Sequence, residues 1–169
     1  MRGRAVGILL ACGLVLAAAL PAAGNSRAVL CHAMVATIVG TPGDDILYGD
    51  GSANVIAGLG GNDQIYGGGG NDSLCGGPGH DALLGDDGDD YLFGGGGRDM
   101  LDGGADADLM HGGLGNDTFL ASAGGDVFDG ESGIDTADFS YIGHGVHVYL
   151  VGNVIYPLAG PNPAEFSTQ

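Results

Sequence analysis

The stretch from Gly67 to Leu84 reads GGGGNDSLC GGPGHDALL, two nonapeptides that share a glycine at position one, an aspartate at position six and a leucine at position eight. The same period extends along the chain in both directions. Position one is glycine in ten of eleven consecutive units, from Gly40 to Gly130, and Ala121 is the exception. Because each period repeats a turn residue, a charge and an apolar residue, we expect a fold of stacked copies of one unit.

Position six carries the charge, and it is acidic in every unit except the second, where Asn54 replaces the acid. Position eight is apolar throughout, from Leu47 to Ala137, and no residue is inserted between units. The acids at position six are Asp45, Asp63, Asp72, Asp81, Asp90, Asp99, Asp108, Asp117, Asp126 and Asp135.

The composition is acidic and rich in glycine, with 37 glycines among 169 residues and a formal net charge of -17. Self-repulsion of this kind opposes a compact state, so we expect the chain to need cations in order to fold. Nucleic acids and anionic membranes bind basic patches. We therefore predict that neither is a partner.

The amino terminus has the pattern of a secretory signal. Arg2 and Arg4 precede an apolar run from Ala5 to Leu20, and small residues follow. The run is short for a membrane span. We predict that residues 1–24 are a signal peptide, that the protein is secreted, and that it does not insert in a membrane once the signal is removed; an uncleaved anchor is the alternative.

The cysteines fit an oxidising compartment. Cys12 lies in the predicted signal, which leaves Cys31 and Cys75 in the mature chain. The sequence allows either a disulfide between them or two buried free thiols, because it does not show whether they approach within bonding distance.

The period predicts an all-β fold. Positions one to six have turn composition, and positions seven to nine form a short extended piece that is stable only when stacked on equivalent pieces in a parallel ladder. With position eight pointing inward, two units close one coil of 18 residues, and odd and even units lie on opposite faces. Position five is polar in most units, for example Asn62, His80 and Asn116, and we expect a left-handed backbone there.

Stacking places acids from alternate units side by side, for example Asp63 beside Asp81. Such a row of like charges is costly without a cation. Flexible sites made only of oxygen suit Ca²⁺, whereas Mg²⁺ requires tighter octahedral geometry and zinc prefers Cys and His, which do not recur at regular spacing. We therefore predict several bound calcium ions.

The units resemble the RTX, or haemolysin-type, calcium-binding repeat, Gly-Gly-x-Gly-x-Asp-x-aliphatic-x. The resemblance covers about residues 40 to 138, and the closest copies are 67–75, 76–84, 94–102 and 112–120. It implies a right-handed parallel β-roll, in which calcium lies between successive turns, and a secreted bacterial protein.

The resemblance also implies a set of calcium ligands, made of position-six side chains and of turn carbonyls at position four. Ser52, Asn54, Asp106 and Ala121 depart from the motif, so sites that use those units should be weaker. The implied ligands are Asp45, Gly61, Asp63, Gly70, Asp72, Gly79, Asp81, Gly88, Asp90, Gly97, Asp99, Asp108, Gly115, Asp117 and Asp126.

The ends flank a repeat region that we place at 40–138. Residues 25–39 are predicted to be an N-terminal cap, and 139–169 a capping strand near Val146–Leu150 followed by a loose tail. Several outward positions are apolar, among them Tyr48, Tyr66 and Phe93. We expect one face to be covered by the tail or by a second copy, or to bind a surface or matrix partner.

We find no catalytic motif. His144 and His147 are an isolated pair, and the Gly-x-Gly-x-x-Gly matches lack a strand–helix context.

Two functions remain. One is a secreted calcium-binding protein with a structural or interaction role. The other is a calcium-dependent secretion or stabilising module related to those of larger secreted enzymes such as hydrolases, proteases or toxins. The signal peptide so close to the repeats favours the first.

Overall fold

The computed structural model describes residues 28–140, together with the backbone of 149–151, 154–155 and 167–168. The described elements are all β-strands. They are β1 (Leu30–Cys31), β2 (Met34–Val35), β3 (Ile38–Val39), β4 (Ile46–Tyr48), β5 (Val55–Ala57), β6 (Gln64–Gly69), β7 (Ser73–Gly79), β8 (Ala82–Asp87), β9 (Tyr91–Gly97), β10 (Met100–Ala105), β11 (Leu109–Gly115), β12 (Thr118–Leu120), β13 (Val127–Ser132), β14 (Asp135–Asp138), β15 (Tyr149–Val151), β16 (Val154–Ile155) and β17 (Ser167–Thr168).

Two parallel sheets make up a β-solenoid with a repeat of 18 residues per turn, which confirms the predicted fold class. Strands of the odd units form a seven-stranded sheet, in the order β4 to β16, and those of the even units an eight-stranded sheet, in the order β3 to β17. Each strand pairs in register with the strand one coil away, as Ile65 does with Leu83 and Leu83 with Leu101.

Most central strands are six or seven residues long, longer than the three predicted. They continue beyond position nine into the first half of the next turn. Gly68 pairs with Asp86, and Asp86 pairs with Gly104. The turns are therefore part of the parallel ladder, because the coil-to-coil register aligns their backbones as well as those of the strands.

The core is a double column of position-eight side chains between the sheets, as predicted. Residues from Ile56 to Ala137 in this column are fully buried, and the rings of Phe119 and Phe128 stack with centroids 5.2 Å apart. At the N-terminal end, Ile38 and Leu47 are only partly buried.

The outer face of the eight-stranded sheet is covered by the N-terminal hairpin β1–β2. Cys31 is buried there with Ala57, Cys75 and Phe93, and it forms a disulfide with Cys75, their Cα atoms 5.7 Å apart. His32, at the tip of the hairpin, stacks on Phe93 at 4.4 Å. The sequence analysis did not predict this covering, and a face covered by the tail or by a second copy stays a prediction.

Removing this disulfide should lower stability. The bond closes a segment with a sequence separation of 44. A crosslink of that length stabilises by about 4 kcal/mol in the chain-entropy model. We expect urea unfolding in saturating calcium to occur at clearly lower urea after reduction with a phosphine. A Cys31→Ser/Cys75→Ser variant is the control and should not respond to the reductant. An identical midpoint before and after reduction of the parent protein would contradict the expectation.

The C-terminal segment continues both sheets. β15 pairs with β13, β16 with β14 and β17 with β15, all in parallel. The predicted tail includes β17, which pairs with β15. Residues 146–148 of the predicted capping strand and the predicted signal peptide at 1–24 lie outside the described residues. No helix in the described part of the chain is long and apolar enough to cross a membrane.

Candidate metal centre

The position-six side chains form two buried rows, one along each edge of the solenoid where the turns lie. We call these the odd edge (turns 40–45, 58–63, 76–81, 94–99, 112–117 and 130–135) and the even edge (turns 49–54, 67–72, 85–90, 103–108 and 121–126). From Asp63 to Asp135 the aspartates at position six are no more than 3% exposed. Their burial follows from the period, because position six enters the strand whose position eight fills the core.

Within each row, one carboxylate oxygen is used by the backbone. Oδ1 of Asp81 accepts a hydrogen bond from the backbone N–H of Asp63 at 2.8 Å, and Oδ1 of Asp99 accepts one from Asp81 at 2.9 Å. The even edge repeats this, since Oδ1 of Asp90 accepts from Asp72 at 2.7 Å. These bonds fix the orientation of each carboxylate, so that its second oxygen has a defined position.

That second oxygen, Oδ2, is buried and lacks a hydrogen-bond partner in nine aspartates. The nine are Asp63, Asp72, Asp81, Asp90, Asp99, Asp108, Asp117, Asp126 and Asp135. Buried polar atoms are nearly always paired, and an ionised one without a partner is especially costly.

Where position one is glycine, the unpaired oxygen lies close to that glycine of its own unit, where a side chain would otherwise be. At Gly85, an added Cβ would overlap both Oδ2 of Asp90 and the carbonyl oxygen of Gly103. At Gly58, it would overlap Oδ2 of Asp63 and lie 2.8 Å from the carbonyl oxygen of Gly76. Position one is therefore glycine because two oxygens occupy the place of its side chain. The sequence analysis missed these carbonyls, although the strict glycine at position one was their signal.

Burial changes the acidity of these groups. The pKa of Asp90, Asp99 and Asp108 is raised to about 7, and that of Asp81 to about 6, chiefly because burial disfavours the charged form. The accepted backbone hydrogen bond lowers these pKa values, and the charges of neighbouring carboxylates raise them. The pKa is also raised, first by burial, at Asp63, Asp72, Asp117, Asp126 and Asp135.

These shifts predict that the metal-free protein is more stable at pH 5 than at pH 8. The folded state keeps protons that the unfolded chain releases near pH 4, so stability falls as pH rises through the folded pKa values near 6 and 7. With calcium the trend should reverse, because protons compete with the metal. The osmolyte concentration that folds the protein in chelator, and the melting temperature in calcium, check this at both pH values. A metal-free protein that needs less osmolyte to fold at pH 8 than at pH 5 would contradict it.

The backbone conformation of the turns differs from our prediction. Positive φ occurs at positions two and four of the units, for example 113° at Gly95 and 140° at Gly97, and not at position five. Close packing adds to the requirement at position four, since a Cβ at Gly97 would overlap the carbonyl oxygen of Gly79. The prediction of a left-handed position five is therefore wrong.

Position five is polar for another reason, which is hydrogen bonding between coils. Oδ1 of Asn62 accepts from the N–H of His80 at 2.9 Å, and Nδ1 of His80 accepts from the N–H of Arg98 at 2.7 Å. Asn116 accepts in the same way from Ile134 at 2.9 Å. Side chains with an acceptor suit this place, and at His80 the acceptor is Nδ1.

The predicted ligands at position four lie in the turns, but their carbonyls face the next coil. The carbonyl oxygens of Gly61, Gly79 and Gly97 each lie against the Cα of the position-four residue one coil on. The same packing is seen for Gly70 against Gly88 and for Gly115 against Gly133. A Cβ built at position one would meet both a carboxylate Oδ2 and a position-one carbonyl oxygen, as at Gly85, so those carbonyls are further candidate ligands.

The ends of the rows differ from the centre. Asp45 is half-buried, and its Oδ2 accepts from the N–H and the hydroxyl of Thr41. Asn54 sits at the same place as an acid, with Oδ1 accepting from the N–H of Asp50 at 2.8 Å. Asp135, which the implied ligand set omitted, has the buried geometry of the central aspartates.

The donors fit a hard cation. No group of three His, Cys, Asp or Glu side chains in the described residues could hold a metal ion by itself. Any ion here must combine carboxylates with backbone carbonyls, which is the oxygen-only, flexible donor set that Ca²⁺ takes. The unpaired Oδ2 atoms and the adjacent carbonyls supply that set along both edges.

A family model described as the RTX calcium-binding nonapeptide repeat matches the chain at residues 37–65, 49–83, 76–110, 84–119 and 102–137. Together these matches span more than half of the chain. The chain belongs to the RTX repeat family. A comparison with curated proteins gave no significant match. Calcium binding is implied by the RTX family, and RTX repeats are typical of secreted bacterial proteins. Only the RTX repeat domain is evident among the described residues.

Proposed function

We propose that this protein is a secreted calcium-binding RTX protein that folds when Ca²⁺ binds between its stacked turns, and that it has a structural or interaction role. The observation that carries the proposal is the set of nine buried carboxylate oxygens without a partner. Bound calcium would supply the positive charge that these rows otherwise lack.

The charge balance supports the proposal. Arg98 is the only arginine or lysine in residues 28–140, and it is exposed. No ion pair of the described residues involves a position-six aspartate, and the two that occur join His111 to Asp129 and to Glu131. Without a cation, the buried aspartates can lower their energy only by taking up protons, which their raised pKa values favour.

Calorimetry on the metal-free full chain tests the binding. Calcium should bind at several sites and release protons, so that the heat depends on the ionisation enthalpy of the buffer. Magnesium should bind much more weakly. A variant with Asp63, Asp81 and Asp99 changed to Asn should lose sites of the odd edge. A control with Asp44→Asn, Asp129→Asn and Glu131→Gln has the same change of charge and should keep the number of sites. Equal loss in both variants, or no calcium binding, would contradict the proposal.

An interaction role is supported by the seven-stranded sheet. Its outer face carries Ile46 and Tyr48, which are 57% and 66% exposed, and the ring of Tyr48 stacks on Tyr66 at 5.0 Å. Self-association or a surface or matrix partner through this face is part of the proposal. Sedimentation of the calcium-loaded protein, parent against Tyr48→Ser, measures self-association.

A further inference from the structure

The two edges differ in charge outside position six. The even edge carries five further carboxylates, Asp50, Asp86, Asp87, Asp89 and Asp106, and no arginine or lysine. The odd edge carries two further acids, Asp44 and Glu131, and also Arg98. Arg98 lies at the centre of the odd edge, hydrogen-bonded through its backbone to His80.

The further acids of the even edge surround the buried row. Asp86 lies in register between Gly68 and Gly104, which stand at the same position in the two neighbouring turns of the even edge. Oδ1 of Asp89 accepts from the N–H of Ala107 at 3.0 Å, which holds Asp89 against the next turn. Inside this set, Oδ2 of Asp90 is buried without a partner.

Two of these acids occupy unusual backbone conformations. Asp86 has φ of 73° at position two, where five of the eleven units have glycine, and Asp106 has φ of 77° at position four, where nine have it. Positive φ is uncommon for residues with a side chain, and such outliers occur often at ligand sites. A carboxylate at these two places costs backbone energy that glycine would not, and more negative charge at a cation site offsets that cost.

We propose that the even edge holds calcium more tightly than the odd edge, so that its turns at Gly85–Asp90 and Gly103–Asp108 fill first and empty last. This inference rests on the calcium binding proposed above. It reverses, for the turn at Gly103–Asp108, the weaker binding that we expected from the departure at Asp106, because it counts the charge of the Asp106 side chain. A unit charge about 8 Å from a divalent ion changes its affinity about two- to threefold at moderate salt. The difference of several charges between the edges predicts a gap in affinity of about fivefold or more.

Hydrogen exchange during calcium withdrawal tests the order. The calcium-loaded full chain is equilibrated at a series of free calcium concentrations set by a chelator, and exchange is read by mass spectrometry. The reporters are the matched amides bonded to the two rows, Asp72 and Asp90 on the even edge and Asp81 and Asp99 on the odd edge. The odd-edge amides should lose protection at a free calcium concentration about fivefold higher.

Variants then test whether the named charges cause the difference in calcium affinity between the two edges. Asp86→Asn/Asp87→Asn should reduce the ratio of the calcium concentrations at which the two edges lose protection to about twofold. Asp44→Asn/Glu131→Gln removes two charges from the odd edge and should not reduce this ratio. High salt should narrow the gap in the parent protein. Asp86→Gly should also weaken the even edge although it relieves the positive φ, so a failure of the double variant to fold leaves a second test.

Two results would overturn the inference. One is that the amides of both edges lose protection at the same calcium concentration, or that those of the even edge lose it first as calcium is withdrawn. The other is a gap that survives unchanged in Asp86→Asn/Asp87→Asn and in Asp86→Gly. If calcium protects neither edge in the parent protein, the proposed calcium-binding function fails as well, and the two failures are thereby distinguished.

Discussion

Replacing Gly97 with alanine is expected to destabilise the calcium-loaded protein by about 3 kcal/mol or more, because two separate requirements for glycine meet there. Its φ of 140° lies where side chains are rarely tolerated. An added Cβ would also overlap the carbonyl oxygen of Gly79 and lie 3.0 Å from Nδ1 of His80. Since that backbone is part of the parallel ladder, the coils would have to separate to make room.

The adjacent glycine provides a matched control. A Cβ at Gly96 would meet nothing closer than the Cβ of Leu114 at 3.9 Å, and the φ of Gly96 is outside the left-handed region. Gly96→Ala should therefore leave stability unchanged or raise it by about 0.5 kcal/mol. Urea unfolding in saturating calcium measures both variants. Similar midpoints for Gly96→Ala and Gly97→Ala would show that the stacking of the turns is not as described.

Asp99→Asn is expected to stabilise the fold without calcium and to weaken folding by calcium. The amide can still accept the hydrogen bond from the N–H of Asp81, and its NH₂ group would lie beside the carbonyl oxygen of Gly112. The buried charge is removed, so the metal-free roll should gain about 1–2 kcal/mol at pH 8. The calcium ligand is lost at the same time, so the calcium needed for folding should rise on the order of tenfold.

Two measurements separate these effects. The osmolyte concentration that folds the protein in chelator should fall in Asp99→Asn, while the calcium midpoint should rise. Asp44→Asn is the control, since Asp44 is exposed and its Oδ1 accepts from the N–H of Asn62, a bond that asparagine can keep. If the osmolyte concentration and the calcium midpoint both rise, or both fall, in Asp99→Asn, then Asp99 is a structural residue and not a ligand.

The sequence predicted the coil, the core and the two rows because each depends on one position of a strict period. Position eight and position six are buried wherever the period holds, as at Leu92 and Asp90. The period does not show which backbone conformation the turn residues between these buried positions adopt. The left-handed residues were therefore placed at position five, where the real requirement is a hydrogen-bond acceptor for the next coil, as at His80.

The covering of the outer face could not be predicted from the period either. The hairpin around His32 lies outside the repeats, and its place depends on contacts with Cys75 and Phe93, far along the chain. The carbonyls of position one were missed for a related reason. Glycine at position one was interpreted only as a turn residue, whereas at Gly85 and Gly58 it makes room for two oxygens.

The central claim is that these rows of buried aspartates need calcium to fold. Far-UV circular dichroism of the chain without residues 1–24, in excess chelator and during a calcium titration at pH 8, tests it most directly. The account predicts a largely disordered spectrum in chelator and a cooperative gain of β-structure with calcium, which magnesium does not reproduce. A β-rich spectrum in excess chelator that calcium leaves unchanged would contradict it.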